Sequence, residues 1–336
     1  MGDSGYMKGS PATDISTADW LRIVDQAVEY RARTGIAPQF NLWGGEPLAS
    51  PAFPSISAAL RDNGFTTALI TNGVLLEKHA DDINRNIDTV YLSLDGPEEV
   101  HEKLRGARGI FQKIRRGLAA LDADRVLRMC LFTLCGDNLQ VAAEFPHQLA
   151  EMGFNRVIFQ NLIYCTCGQA ADYRHWMKSS FGQDAPRLDS RIRDTVEPWV
   201  QDLPGVVESL RAAAQAGLYP IEVEFCPDEL SASNIARWHD SSAHLKKDRS
   251  PCLMPFRHLQ INYDGNAHFC VDFNDFTLGN ARRQSIGELF HNAGADRFRA
   301  EGPICNSLSA SCLWYYNESP SVDRSKLQSP QPTHTL

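Results

Sequence analysis

The chain has 336 residues, of which 43% are apolar and 22% charged, and a formal net charge of -8. That composition excludes fibrous, collagen-like and wholly disordered chains. The mild acidity argues against a general nucleic-acid binder, which needs a cationic face for phosphates. The length allows two domains, or one barrel-sized domain with an appendage. No apolar run approaches the ~20 residues that a bilayer requires. The polar, Gly/Ser-rich opening from Met1 to Thr13 has no apolar h-region of a signal peptide. The expectation is a cytoplasmic protein without nucleic-acid or membrane partners, whose nine cysteines are not disulfides.

In chain order, residues 1–14 read as a polar segment. Asp14-Ile-Ser-Thr17 then offers N-caps for a helix over Ala18–Arg33, with Trp20, Ile23, Val24, Ala27 and Val28 at helical spacing and Gly35 as its stop. Gln39–Trp43 reads as a strand, Ile56–Asn63 as a helix, Phe65–Ile70 as a strand and Leu75–Asn84 as a helix. Thr89–Leu94 is a strand, Ile110–Leu121 a helix, Val126–Leu134 a strand, Leu139–Met152 a helix and Arg156–Tyr164 a strand. Near-continuous apolar strands alternating with helices predict an α/β fold with a parallel sheet covered on both faces. In such sheets and barrels function gathers at the C-terminal ends of the strands. Gly44–Pro47, Thr71–Gly73, Ser93–Gly96 and Cys135–Asn138 all stand at such ends.

After residue 165 the pattern changes. Residues 168–195 are polar and carry no clear period. Val206–Ala216 reads as a helix, Pro220–Phe225 as a strand, and 230–250 as loop. His258–Tyr263 and Ala267–Val271 flank Asp264-Gly265, a hairpin signal. Ile286–Phe290 begins a short helix. The Ser/Pro/Gln-rich segment 319–336 is expected to be disordered.

Gly44-Gly45-Glu46-Pro47 brings two glycines, which allow close backbone approach and positive φ, and a carboxylate able to accept from an ammonium group. By itself it reads equally as a tight turn. Its company is more telling. Trp43-Gly-Gly-Glu-Pro, Ile70-Thr-Asn-Gly and Leu92-Ser-Leu-Asp-Gly-Pro follow successive strands, and His101 to Arg105, Gly106, Gly109, Phe111 and Asn138 extend the set. Over roughly residues 15–165 this resembles the radical S-adenosylmethionine superfamily. The resemblance implies a partial (β/α)6 TIM-like barrel, here lacking its first strand. It implies that Gly44, Gly45, Glu46 and Pro47 form the motif holding the methionine amino group. Ser93 and Asp95 would lie near the ribose, Asn72 on the same face, and Arg105 would pair with the methionine carboxylate, a task that suits a guanidinium. The plainer alternative for Arg105 is a surface residue before a helix.

Cys252, Cys270, Cys305 and Cys312 fall close together in the sequence, with the Asp264-Gly265 turn between the first two. Four thiolates can complete a [4Fe–4S] cluster or a zinc site, or they can be buried structural cysteines. Gly265-Asn-Ala-His-Phe-Cys270, Val271–Phe276, Leu278-Gly-Asn280 and Ser285-Ile286 resemble the auxiliary-cluster domain called SPASM, or Twitch when shortened. That resemblance makes the four cysteines ligands of one auxiliary [4Fe–4S] cluster, with Cys305 the least typical in spacing. Cys130 reads as core, whereas Cys165, Cys167 and Cys226 read as facing a substrate, ligating metal or plain core, the last being favoured.

The family's Cys-x3-Cys-x2-Cys loop, whose [4Fe–4S] cluster binds S-adenosylmethionine, has no counterpart in the chain. The expectation drawn from this is a sequence that starts late and lacks the radical chemistry as written. Its rival is a complete chain that has lost reductive cleavage. The expected organisation is a barrel over 15–200 and an α+β iron–sulfur domain over 220–318. The resemblance implies an oxidoreductase that generates a 5′-deoxyadenosyl radical to abstract hydrogen from a peptide or small-molecule substrate, served by an electron donor such as flavodoxin or ferredoxin. The alternatives are a non-catalytic barrel that binds S-adenosylmethionine and a zinc protein with four cysteine ligands. His258 and His268 are acid–base candidates only by nearness to the cysteines.

Overall fold

The computed structural model describes residues 14–194, 196–226, 254–271 and 274–301. Cys252, Cys305, Cys312 and the segment 319–336 lie outside them. Six parallel strands form the main sheet: β1 (Phe40–Leu42), β2 (Thr67–Thr71), β3 (Thr89–Ser93), β4 (Leu127–Leu134), β5 (Arg156–Asn161) and β8 (Glu222–Cys226), in the order β1-β2-β3-β4-β5-β8. Parallel neighbours need helical crossovers. These are α2 (Phe53–Asp62), α3 (Ala80–Asn86), α4 (Glu98–Arg105), α5 (Ile110–Ala119), α6 (Phe145–Glu151) and, between β5 and β8, a helix over Leu203–Gln215, with α1 (Thr17–Thr34) ahead of β1. Among the described residues no helix is long and apolar enough to cross a membrane.

The sequence dictates most of these boundaries. Ser16 caps α1 by accepting from Asp19 N, and Gly35 ends it at φ 74°. The expected helix over 139–152 splits into a 3-10 turn at Leu139–Val141 and α6, because Pro146 at the helix start offers no N–H to an earlier turn. Helix α4 was not expected. Glu98 and Glu99 favour its first turn, and Gly106 at φ 62° closes it. The region without a clear period forms α7 (Cys167–Trp176), started by a capping box between Thr166 and Gln169. The two-residue strands β6 (Cys165–Thr166) and β7 (Ile192–Arg193) pair beside it.

Strand residues alternate in environment. Val90, Leu92, Cys130, Phe132, Leu134, Val157 and Phe159 are buried in the main core. Their neighbours Tyr91, Ser93, Leu131, Thr133, Ile158 and Gln160 are only partly buried, on the opposite, concave face. Strand β8, which the sequence reading left with the C-terminal unit, pairs with β5 and extends the main sheet.

Beyond residue 254 a small antiparallel sheet has the order β11-β10-β9, made of β9 (Gln260–Ile261), β10 (Asn266–His268) and β11 (Gly279–Asn280). The Asp264-Gly265 turn lies where expected, with Gly265 at φ 82°. Helices Ile286–His291 and Ala293–Ala300 follow. Phe269, Phe276, Leu278, Leu289 and Phe298 share one core with Tyr173 and Trp176 of α7. Polar contacts fasten this unit to α1. Arg22 donates to Ala281 O at 2.6 Å, and Ile286 N donates to Gln26 Oε1 at 2.8 Å.

Candidate functional site

The parallel register brings the C-terminal ends of β1 to β5 to one edge of the sheet, and the side chains there are tied to one another. The Glu46 carboxylate accepts from Leu48 N at 3.1 Å and Thr71 Oγ1 at 2.7 Å through one oxygen, and from Asn72 N at 2.9 Å through the other. It therefore fixes the end of β1 against the end of β2. A carboxylate has about four lone-pair positions, so one remains for an ammonium donor. Gly44 is at φ 153°, and a Cβ there would meet nothing within 4 Å. The backbone is open to a ligand at that point. Gly45 is exposed beside it, and Pro47 opens the 3-10 turn that Glu46 caps. Asn72 is exposed, with its Oδ1 accepting from Val74 N. Gly73, at φ 80°, has no room for a side chain, because a Cβ would lie 2.6 Å from Leu92 Cδ2.

At the end of β3, Ser93 is partly exposed and Asp95 only 6% exposed. Asp95 Oδ1 accepts from Thr133 N at 3.2 Å, and its Oδ2 pairs with Arg105 at 2.7 Å. This holds the guanidinium in place while leaving other N–H groups directed elsewhere, which suits a second carboxylate. His101 is buried, and its Nδ1 accepts from Asp95 N at 3.2 Å. Burial, then the Arg105 charge, push its pKa down to about 4. The ring is thus neutral near pH 7, and its 4.0 Å approach to the Asp95 carboxylate is not an ion pair. Asn138, fully buried, donates to Asp95 O and Thr133 O and accepts from Cys135 N. The strand-end residues expected from sequence therefore fall into two groups at one edge of the sheet, Glu46 with Thr71 and Asn72, and Asp95 turned inward onto Arg105 and Thr133.

Three residues went unread. Thr133 and Gln160 face the concave side and are joined by a 2.8 Å hydrogen bond, and Arg156 bridges the solvent-facing Glu222 and Glu224 at the N-terminal end of β5 and β8, away from the strand-end site. The available signal was their parity: each is a polar residue at an alternate position of an otherwise apolar strand.

These groups fit S-adenosylmethionine, which offers an ammonium and a carboxylate. The auxiliary cluster can be tested only at Cys270, which is 8% exposed in the second core. His258 Nε2, on the segment leading into β9, is buried without a hydrogen-bond partner among the described residues. Because β9 runs antiparallel to β10, the residues before 260 lead toward those after 268. A cluster sulfur is a fitting partner there. Burial lowers the pKa of His258 to about 4, and that of His268 likewise to about 4. The main cluster finds no fit. No Cys-x3-Cys-x2-Cys occurs in the 336 residues, and among the described residues no group of three or more metal-ligating side chains is assembled. Cys130 and Cys165 are core, while Cys167 is exposed with its Sγ 3.6 Å from Asp194 Oδ1.

Residues 13–140 match the model of the Radical SAM superfamily, and residues 252–313 match that of the SPASM iron-sulfur cluster-binding domain. The Fe-coproporphyrin III synthase of Methanosarcina barkeri (strain Fusaro / DSM 804) is 26% identical over 157 residues, which are 46% of this chain and 38% of that protein. The PqqA peptide cyclase of Granulibacter bethesdensis is 32% identical over 155 residues, 45% of this chain and 40% of that protein. The chain thus spans less than half the length of these curated relatives. In fold it is similar to Streptococcus suis SuiB, with a TM-score of 0.58 at 14% identity over 89% of this chain and 66% of that one. SuiB bound to S-adenosylmethionine gives a TM-score of 0.56 at 15% identity, over 83% of this chain and 59% of that one. With the strand-end motifs on the barrel sheet and the iron-sulfur match in the C-terminal part, the chain belongs to the radical SAM superfamily and carries a SPASM domain.

Proposed function

We propose that this chain is the S-adenosylmethionine-binding and auxiliary-cluster part of a hydrogen-abstracting enzyme that acts on a peptide or small molecule. When reductively cleaved, S-adenosylmethionine supplies a 5′-deoxyadenosyl radical for that abstraction. The observation that carries the reading is the pair of tied groups at neighbouring strand ends, Glu46 with Thr71 and Asn72, and Asp95 with Arg105. Glu46 would hold the amino group with its remaining lone pair, and Gly44 and Gly45 would admit the methionine backbone. Arg105, braced by Asp95, would take the carboxylate. Ser93 would meet the ribose, with Asn72 on the same rim. The partly exposed concave face, from Tyr91 to Gln160, is where a substrate would lie. Cys252, Cys270, Cys305 and Cys312 would hold the auxiliary [4Fe–4S] cluster, which binds substrate or accepts an electron from the product radical. A peptide substrate is supported by the names of two similar proteins, the PqqA peptide cyclase and SuiB bound to precursor peptide SuiA.

A second reading is a barrel that binds S-adenosylmethionine without cleaving it. Calorimetric titration with S-adenosylmethionine tests what both share. Glu46→Gln and Arg105→Gln are each expected to weaken binding about tenfold, or ~1.4 kcal/mol. Unchanged affinity in both would remove the site. Reading the coding sequence upstream of Met1 separates the two readings: an in-frame Cys-x3-Cys-x2-Cys supports the first, and an in-frame stop codon supports the second. Anaerobic reconstitution should give about four irons with sulfide per chain. One zinc without sulfide would make the cysteines a zinc site instead.

A further inference from the structure

The C-terminal sheet is built from strands of two or three residues, too short to hold a metal-bearing loop by backbone pairing alone. What flanks Cys270 is a set of polar contacts converging on one residue from outside the sheet, Arg187. It lies after α7, in a segment whose Ala185 and Leu188 enter the same core as Phe269 and Cys270. Its Nη1 is 3.2 Å from His268 Nε2 and 3.4 Å from Asn274 O, and its Nη2 is 3.7 Å from Asp264 Oδ2. Its backbone N donates to Asp275 Oδ1 at 2.9 Å. Asp275 also accepts from Tyr173 of α7. The contacts reach Asp264 and His268 on one side of Cys270, and Asn274 and Asp275 on the other.

His268 is fully buried, and its other nitrogen, Nδ1, lies 3.0 Å from Phe276 O. A carbonyl can only accept, so Nδ1 carries the proton and Nε2 accepts from the guanidinium. Arg187 therefore fixes the tautomer and rotamer of the residue two places before Cys270. It does this with a planar, permanently charged fork, which a lysine could not reproduce. Groups that orient a metal's ligands in this way set how firmly the metal is kept, and a nearby charge sets its potential.

We propose that Arg187 is a positioning residue for the auxiliary cluster. Acting through His268, it holds the Cys270 loop in its ligating form, and its charge favours the reduced state of the cluster. The proposal rests on the assignment of Cys270 as a cluster ligand.

The test uses the full chain after anaerobic reconstitution. Iron and sulfide in the wild-type chain come first; a chain that binds neither overturns the assignment itself, and this proposal with it. Given a loaded wild type, chelator-driven iron release is followed in Arg187→Gln, Arg187→Lys, His268→Asn and the double variant. The control is Arg31→Gln, which removes a 2.7 Å bond to Asn63 O on the barrel side. Arg187→Gln should release iron about tenfold faster than wild type, in the range common for groups that orient metal ligands. His268→Asn and the double variant should match it, because both break one contact. Dithionite titration followed by electron paramagnetic resonance gives the midpoint potential of the cluster retained. It should fall in Arg187→Gln and stay near wild type in Arg187→Lys, which keeps the charge but loses the fork. Release no faster than in Arg31→Gln would overturn the positioning role. Additive effects of the two single variants would overturn the route through His268. Equal potentials in Gln and Lys variants would overturn the electrostatic role. Should Arg187→Gln fail to fold, the Lys variant and His268→Asn carry the same comparison for iron release.

Discussion

The strand-end site and the C-terminal unit solve the same problem, holding polar groups for a ligand, by different means. In the barrel the backbone does most of the work. Five strand ends are aligned by parallel register, and Glu46 and Asp95 then join neighbouring strands across gaps the sheet has already set. Around Cys270 the strands are too short to impose a register of that kind, so side chains from a distant segment supply the order. A site of the first kind is rigid before its ligand arrives. The second depends on cross-links that a single substitution can remove.

The largest effect that would break this contrast is expected at Asp95. In Asp95→Ala, Thr133 N and Arg105 lose their acceptor. Truncating one member of a buried pair costs about 3–5 kcal/mol. Arg105 is 39% exposed and can turn to water, which reduces the expectation to about 2–4 kcal/mol. Urea unfolding should show the loss, and the amides of 260–300 should exchange as in wild type below the transition. A variant as stable as wild type would mean that the barrel site relies on register alone.

A smaller effect comes from His101. Its folded pKa is depressed to about 4 from 6.5 by burial and then by Arg105. Between those values the unfolded chain binds a proton that the folded chain refuses, so stability is present above about pH 6.5 and is lost as the pH falls toward 4. The slope for one such group is at most about 1.4 kcal/mol per pH unit. Unfolding free energies of wild type and His101→Leu, measured from pH 7 to 4, should converge by up to that slope. Parallel curves would show that His101 takes up its proton in the fold as readily as in the unfolded chain.

Much of the barrel was legible because its signals are local. Apolar runs mark strands, and Gly35 and the Asp264-Gly265 turn mark stops and reversals. The strand-end residues were legible through their motifs. What they do to one another was not. Thr71 serves Glu46 because β1 and β2 pair across 25 residues of sequence, and Asp95 meets Arg105 because α4 returns its last residue to the end of β3. Helix α4 was missed because its eight residues, Glu98–Arg105, hold only Val100 and Leu104 as apolar markers, too few to show a period. Arg187 was invisible for a stronger reason. Its partners lie about 80 residues away, and an arginine in a polar stretch carries no sign that it will be drawn against a buried histidine.

The smallest effect concerns the seam between the two regions. Ser285 caps the helix Ile286–His291 by a reciprocal box: its Oγ accepts from Glu288 N at 3.2 Å, and its N donates to Glu288 Oε2 at 2.7 Å. Loss of such a cap costs about 1 kcal/mol. The next residue, Ile286, donates its N–H to Gln26 of α1, so the cap sits on a contact between the barrel's first helix and the C-terminal unit. If the two regions hold their order independently, Ser285→Ala should speed hydrogen exchange about fivefold in 286–291, the equivalent of ~1 kcal/mol, and leave α1 as it was. Faster exchange in α1 as well would mean that the barrel draws part of its order across this seam, and that the C-terminal unit braces the strand-end site rather than only neighbouring it.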